Sequence, residues 1–160
     1  RSGTVDFTGT YLLVAVKECA EVAVYKIDQT TGALSTVGSS PVAVGNRPFH
    51  VVEAESGGKF YMAVNNMNDK NISVFQFDPT SGSLTAVSGS PFTMNNFSHP
   101  HYMAVDTQGG KFAYIVDWGP SQAATITGVT VDANGNLTQI TGSPFTTGGV
   151  KFPAQIVLGY

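Results

Sequence analysis

Apolar residues fall in short runs along the chain, parted by clusters of Gly, Ser, Thr, Asn, Asp and Pro. Three runs are rich in β-branched and aromatic residues: Tyr11-Leu-Leu-Val-Ala-Val16, Tyr61-Met-Ala-Val64 and Ala113-Tyr-Ile-Val116. Their length and composition predict strands, since a buried helix needs a longer apolar pattern. Each is followed by a second predicted strand, at Val22–Ile27, Ile72–Phe77 and Ile126–Val131. In these, Tyr25, Phe75 and Val129 align, as do Ile27, Phe77 and Val131, so large apolar groups recur at a period of two. The opposite face, with Val22, Ile72 and Ile126, is apolar too, which suits sheets covered on both sides. No helical spacing occurs anywhere, and the fold class is all-β.

The turns between these strands repeat. Asp28-Gln-Thr-Thr-Gly32-Ala-Leu34 recurs as Asp78-Pro-Thr-Ser-Gly82-Ser-Leu84 and, one residue shorter, as Asp132-Ala-Asn-Gly135-Asn-Leu137. Glycine supplies the positive φ of a hairpin, and aspartate bonds its own backbone. A Ser-Pro landmark follows each turn, at Pro41, Pro91 and Pro144. A third landmark aligns Gly9-Thr10-Tyr11 with Gly58-Lys59-Phe60 and Gly110-Lys111-Phe112. A third strand is predicted from Leu34, Leu84 and Leu137, and a fourth at His50–Glu53, His101–Asp106 and Gln155–Leu158. Four antiparallel strands in about 50 residues make one β-propeller blade. The chain therefore reads as one segment, 1–160, of three repeats, 9–56, 57–108 and 109–160, with residues 1–8 equivalent to the last strand of a preceding repeat. Closure takes roughly four to eight blades, so three form an incomplete ring.

Composition narrows the partners. The net charge is −3 and the eight Lys and Arg residues are scattered, which excludes the basic stripe that nucleic acid requires. No apolar run approaches a bilayer span, and no signal peptide stands at the start, so an exported chain would have lost its signal already. A charged content of 12% with abundant Gly, Ser, Thr and Asn suits a secreted, periplasmic or cell-surface protein. Cys19 is the single cysteine, so no internal disulfide forms. No cofactor and no metal site are expected, because the two histidines His99 and His101 do not make a coordination set and the turn aspartates lack calcium-loop spacing.

Together, Gly-Lys-Phe-x-Tyr, Asp-x-Thr-x-Gly-x-Leu and Gly-Ser-Pro-Phe resemble the repeat of the lactonase-type β-propellers, the 6-phosphogluconolactonase-like group. The resemblance covers the whole chain and implies the propeller fold. In Ser98-His99-Pro100-His101 and the following Tyr114-Ile-Val-Asp117-Trp118-Gly119, it implies catalytic roles for His99, His101 and Asp117 on the face that holds the substrate cleft. The family's next landmark, an Arg-His pair followed by a glutamate in the next blade, is replaced here by Gly149-Val-Lys-Phe-Pro153. His99 and His101, two apart, would point the same way on a regular strand. Trp118 and His50 are candidate ligand-binding residues, the indole through stacking on a sugar ring.

Each of these residues also has an architectural reading. The Pro-His elements at Pro48-Phe49-His50 and Pro100-His101-Tyr102 would hold loops at the blade's inner end, Asp117 would cap a turn, and Trp118 would pack between blades. With part of the family's chemistry absent, the chain as given reads first as a non-catalytic, exported propeller segment for binding or self-assembly. Its partners would be other copies of itself or missing blades, closing a ring or propagating a filament. The alternative is part of a lactonase-type enzyme hydrolysing a sugar or aromatic lactone, and a third reading is a carbohydrate binder using Trp118.

Overall fold

A computed structural model of the chain describes residues 2–106, 109–118, 123–151 and 156. They form three antiparallel sheets in sequence order, with no helix among the described residues. Sheet 1 holds β1 (Gly3–Val5), β2 (Tyr11–Val16), β3 (Glu21–Ile27), β4 (Leu34–Thr36) and β5 (Val42–Ala43). Sheet 2 holds β6 (Pro48–Ser56), β7 (Lys59–Asn66), β8 (Asn71–Phe77), β9 (Leu84–Ala86) and β10 (Phe92–Thr93). Sheet 3 holds β11 (Pro100–Val105), β12 (Phe112–Trp118), β13 (Ala123–Val131), β14 (Leu137–Gln139) and β15 (Phe145–Lys151). In each, the first three strands pair in order, and the last two both pair with the third. The blade thus has four strand positions, the outermost one broken in two.

The Ser-Pro landmark makes that break. Proline removes a ladder donor and turns the chain away from the sheet. The preceding serine repairs the gap: the hydroxyls of Ser40, Ser90 and Ser143 accept the N–H of Val24, Val74 and Gly128 at 2.8, 2.8 and 2.9 Å. A side-chain oxygen so replaces the carbonyl that a continuous strand would offer. The Asp turns are also as the residues predict. Asp28 and Asp78 accept N–H groups two residues on, and Gly32, Gly82 and Gly135 have φ of +72°, +74° and +79°.

The strand expected to end each repeat belongs instead to the following sheet. β6 pairs with β7, and β11 with β12, because the hairpin after each is short enough to fold the two strands together. The strand expected at Gln155–Leu158 falls outside the described residues except for Ile156. The first-strand alignment also shifts by one in sheet 2. Leu12, Met62 and Ala113 stand opposite Tyr25, Phe75 and Val129, so Tyr11 corresponds to Tyr61, not Phe60. The cause is the Gly57-Gly58 hairpin, with both φ positive, which lets Ser56 pair with Lys59 and extends the ladder beyond where the others stop.

Two apolar layers join the sheets. Tyr11, Leu13, Val22 and Val24 of sheet 1 pack on Val51, Met62, Val64 and Phe77 of sheet 2. Tyr61, Ile72 and Val74 from the other face of sheet 2 pack with Met94, Phe97, Met103, Ile115, Val129 and Val131. Alternate residues of one strand serve opposite layers, as the period of two requires. A tyrosine locks each junction: Tyr11 donates its hydroxyl to the carbonyl of Thr80, and Tyr61 to that of Ala133, both at 2.9 Å. Each ring lies over the next sheet's turn glycine, where a Cβ would come within 2.5 Å of it at Gly82 and at Gly135.

Candidate functional site

The residues singled out in the sequence meet where β11 begins and β12 ends. Pro100 stands opposite Asp117, and the register then slips before Met103 pairs with Ile115, a bulge that lodges His101 in the irregular stretch. His101 is 4% exposed, and His99, which precedes the strand, is exposed. The two histidines are therefore not side by side on a regular strand, because the bulge breaks the alternation that would align them.

His101 Nδ1 lies 2.9 Å from the His99 carbonyl oxygen. A carbonyl only accepts, so Nδ1 carries the proton and Nε2 the lone pair. The Trp118 ring covers the imidazole at 3.8 Å between centroids, and Phe49 meets it edge-on at 4.4 Å. Burial pushes the His101 pKa below the ordinary histidine value, against the pull of the His99 carbonyl. The result is a neutral imidazole of fixed tautomer, the form a general base needs.

Asp117 is 1% exposed at the end of β12. Its carboxylate accepts the N–H of His99 at 2.7 Å and that of Ser98 at 3.0 and 3.1 Å to its two oxygens. Burial raises its pKa, with these backbone donors opposing. The carboxylate thus caps the approach to β11 and bonds to backbone, not to an imidazole. The His99 ring takes part more loosely, with Nδ1 at 3.2 Å from Ser98 Oγ and 3.3 Å from the Trp118 carbonyl. Trp118 ends β12 opposite Ala124, half-buried against His101. Gly119 and Pro120 lie outside the described residues.

His50 stands apart from this group. Val51 corresponds to Met103, so His50 occupies the place of Tyr102 and Phe49 that of His101. The Pro-His elements are not equivalent, and no imidazole recurs from blade to blade. His50 Nδ1 accepts the Met103 N–H at 3.3 Å, and burial pushes its pKa down to about 4.

Two polar features carried no sequence signal. Asn65 and Asn66 are fully buried at the end of β7; Asn65 donates to the His101 carbonyl at 3.0 Å, and Asn66 to Asn71 and Ser73 at 2.8 Å. At the opposite end of the blades, Glu53 borders a cavity of about 220 Å³ lined also by Phe7, Phe60, Val105 and Asp106. Glu53 accepts the Phe7 N–H at 2.7 Å, and Phe7 stacks on Phe60 at 3.9 Å. Burial pushes the Glu53 pKa up to about 7, with Asp6 and Glu55 adding and the Phe7 N–H opposing. An alternation pattern reads Glu53 as a polar position on a strand and is blind to the sheet 1 loop that covers it. No cluster of three or more metal-ligating side chains is present among the described residues.

Comparison with known proteins identifies relatives of the fold. Residues 2–95 match the family described as lactonase, 7-bladed beta-propeller. No curated protein matches the sequence. Among solved structures, the periplasmic gluconolactonase of Pseudomonas aeruginosa superposes with a TM-score of 0.74 at 16% identity, over 92% of this chain and 40% of its own. A Bacteroides fragilis protein described as a candidate 6-phosphogluconolactonase gives 0.69 at 21% identity, over 88% of this chain and 37% of its own. A Lactobacillus plantarum protein gives 0.72 at 19% identity, over 93% and 42%. At these identities the likeness is one of fold, and the chain spans well under half of the solved proteins it matches.

Proposed function

The chain belongs to the lactonase family of seven-bladed β-propellers, and from that premise we propose that its three blades form part of an exported propeller that opens a sugar or aromatic lactone. The observation that carries the reading is His101, a buried neutral imidazole whose Nδ1 is committed to a carbonyl and whose Nε2 keeps its lone pair. In this reading Nε2 takes a proton from water as the water oxygen attacks the lactone carbonyl. The ring C–O bond then breaks, and the imidazolium returns the proton to the departing alkoxide. Trp118 holds the imidazole plane, and Arg47, whose charge is felt at His101, would steady a developing oxyanion or a substrate carboxylate. Export is supported by the periplasmic location named for the Pseudomonas aeruginosa relative.

The test is acid release at constant pH from a panel of gluconolactone, 6-phosphogluconolactone and an aromatic muconolactone. The chain is assayed alone and within the ring-complete propeller. Turnover that falls at least about 100-fold in His101→Gln supports the role. Full turnover in that variant, or none by the ring-complete propeller on any lactone, removes it.

The binding or self-assembly reading keeps one specific observation in its favour. The large hydrophobics most exposed among the described residues, Val5, Phe7, Leu34, Phe112 and Phe145, all lie on sheets 1 and 3 and none on sheet 2. Sedimentation equilibrium of the 160-residue chain decides it: association with rising concentration supports it, and a monomer throughout excludes it.

A further inference from the structure

Among the described residues the Asp117 carboxylate bonds only to backbone, which raises the question of what it does beside His101. Its oxygens take the N–H groups of Ser98 and His99. The same peptide segment presents the His99 carbonyl to His101 Nδ1. A link therefore runs from carboxylate to backbone to imidazole, beside the Trp118 N–H that the same His99 carbonyl accepts at 3.1 Å. Among the described residues the imidazole's ring contacts are Trp118, which covers it, and Phe49, which meets it edge-on.

Sheet 2 offers a comparison. There Asn66 occupies the strand position of Asp117, opposite Pro48 as Asp117 is opposite Pro100. Asn66 turns to Asn71 and Ser73 and makes no bond to the segment before Pro48, and the residue at the His101 position is Phe49, which needs no tautomer. In sheet 2 the N–H of Asn46, in the place of Ser98, goes to Asp69 in the turn after β7 at 2.7 Å. Both blades thus cap this segment with a carboxylate, but only in sheet 3 does the carboxylate come from the strand paired with it and take the N–H of the residue whose carbonyl meets an imidazole.

We propose that Asp117 is a positioning residue: by holding the Ser98–His99 backbone it fixes the His99 carbonyl as the acceptor for His101 Nδ1–H, and so keeps Nε2 as the basic nitrogen. This rests on the reading of His101 as the base, but its physical content is testable without turnover. Among the described residues the side-chain charges felt at His101 are those of His99 and Arg47, and neither side chain bonds to its ring nitrogens.

The experiment uses ¹⁵N-labelled 160-residue chain, with the His101 tautomer read from ring nitrogen shifts across a pH titration. Wild type is expected to show the Nδ1–H form. Asp117→Asn fits the site, as Asn66 does in sheet 2, but sets an amide donor or a weaker acceptor against the Ser98 N–H. The expected result is a mixture of tautomers and a His101 titration moved toward the ordinary histidine value. His99→Ala, which leaves the backbone carbonyl in place, is expected to keep the Nδ1–H tautomer. In the ring-complete propeller, Asp117→Asn is expected to lower kcat by roughly 10- to 100-fold with KM unchanged, short of the full contribution of a general base. An unchanged tautomer and titration in folded Asp117→Asn overturns the proposal. Should that variant not fold, Asp117→Glu, which keeps the acceptors one methylene further out, is read by the same nitrogen shifts with the same two outcomes. Altered tautomers without lactone turnover in wild type would retain the positioning link and discard the hydrolytic reading.

Discussion

Sheets 2 and 3 are built on one scaffold and have been put to different uses. Their strands pair in the same register, their serines mend the same break, and their apolar residues fill the same layers. At the inner end of the blade, however, sheet 3 has His101, Asp117 and Trp118 where sheet 2 has Phe49, Asn66 and Met67. Along the inner strand the contrast reverses. Sheet 2 carries the shifted ionisable groups His50 and Glu53 at the positions of Tyr102 and Val105. A repeated scaffold lets chemistry be concentrated in one blade because the others already supply the packing.

The largest expected effect comes from erasing that contrast. His101→Phe gives sheet 3 the residue of sheet 2, in a pocket already made for an aromatic ring. Lactone turnover by the ring-complete propeller is expected to fall about 10²–10⁴-fold. Urea denaturation is expected to place stability within about 1.5 kcal/mol of wild type, as for a swap of similar shape. A collapse of the fold would show that His101 is an architectural group. Next, Met62→Ala in sheet 2 and Ile115→Ala in sheet 3, each removing a fully buried side chain, should each cost about 2–5 kcal/mol in the same denaturation assay. A large loss in one and none in the other would break the claim of a shared scaffold. Ser90→Ala and Ser143→Ala should then cost about 1–3 kcal/mol each, by leaving the N–H of Val74 or Gly128 without its acceptor.

The smallest effect lies in the pH dependence of stability that the two shifted groups of sheet 2 contribute. His50 has its pKa depressed to about 4, so its neutral form favours the fold: stability is full above the unfolded value of 6.5 and lost as pH falls toward 4. Glu53 has its pKa raised from 4.5 to about 7, so its protonated form favours the fold: stability is full below 4.5 and lost as pH rises toward 7. Between pH 4.5 and 6.5 the two slopes oppose each other and the wild-type profile is expected to be nearly flat. Each slope is bounded by about 1.4 kcal/mol per pH unit and reduced by solvent around part-buried groups. Denaturation midpoints should rise with pH in Glu53→Gln and fall with pH in His50→Gln. Parallel profiles in the two variants would contradict both assignments.

What was legible in the chain was local. The Asp turns, the Ser-Pro breaks and the second strands depend on a few adjacent residues, and they stand where the repeat puts them. Sheet membership of β6 and β11 was not legible, because pairing is decided by hairpins that differ between blades: Asp6 holds one through Thr8, Thr10 and Tyr11, while Gly57-Gly58 closes another in two residues. The same difference shifted Tyr61 against Tyr11. In the site, the residue types at 99, 101, 117 and 118 stood out, and the structure gathers all four. Their relation did not, since a two-residue spacing assumes a regular strand and a bulge intervenes. Glu53 and Asn65 went unmarked because their condition is set by other sheets.

The break in each outer strand has a consequence for the chain's behaviour in a crowded solution. A sheet edge invites a foreign strand in proportion to its unbroken length. Here β4 and β9 run for three residues, and β5 and β10 for two, with a proline between them. A strand arriving from another molecule would lose its register at the proline and find the neighbouring N–H already taken by a serine hydroxyl. The device that mends sheets 1 and 2 from within thereby denies them as templates from without.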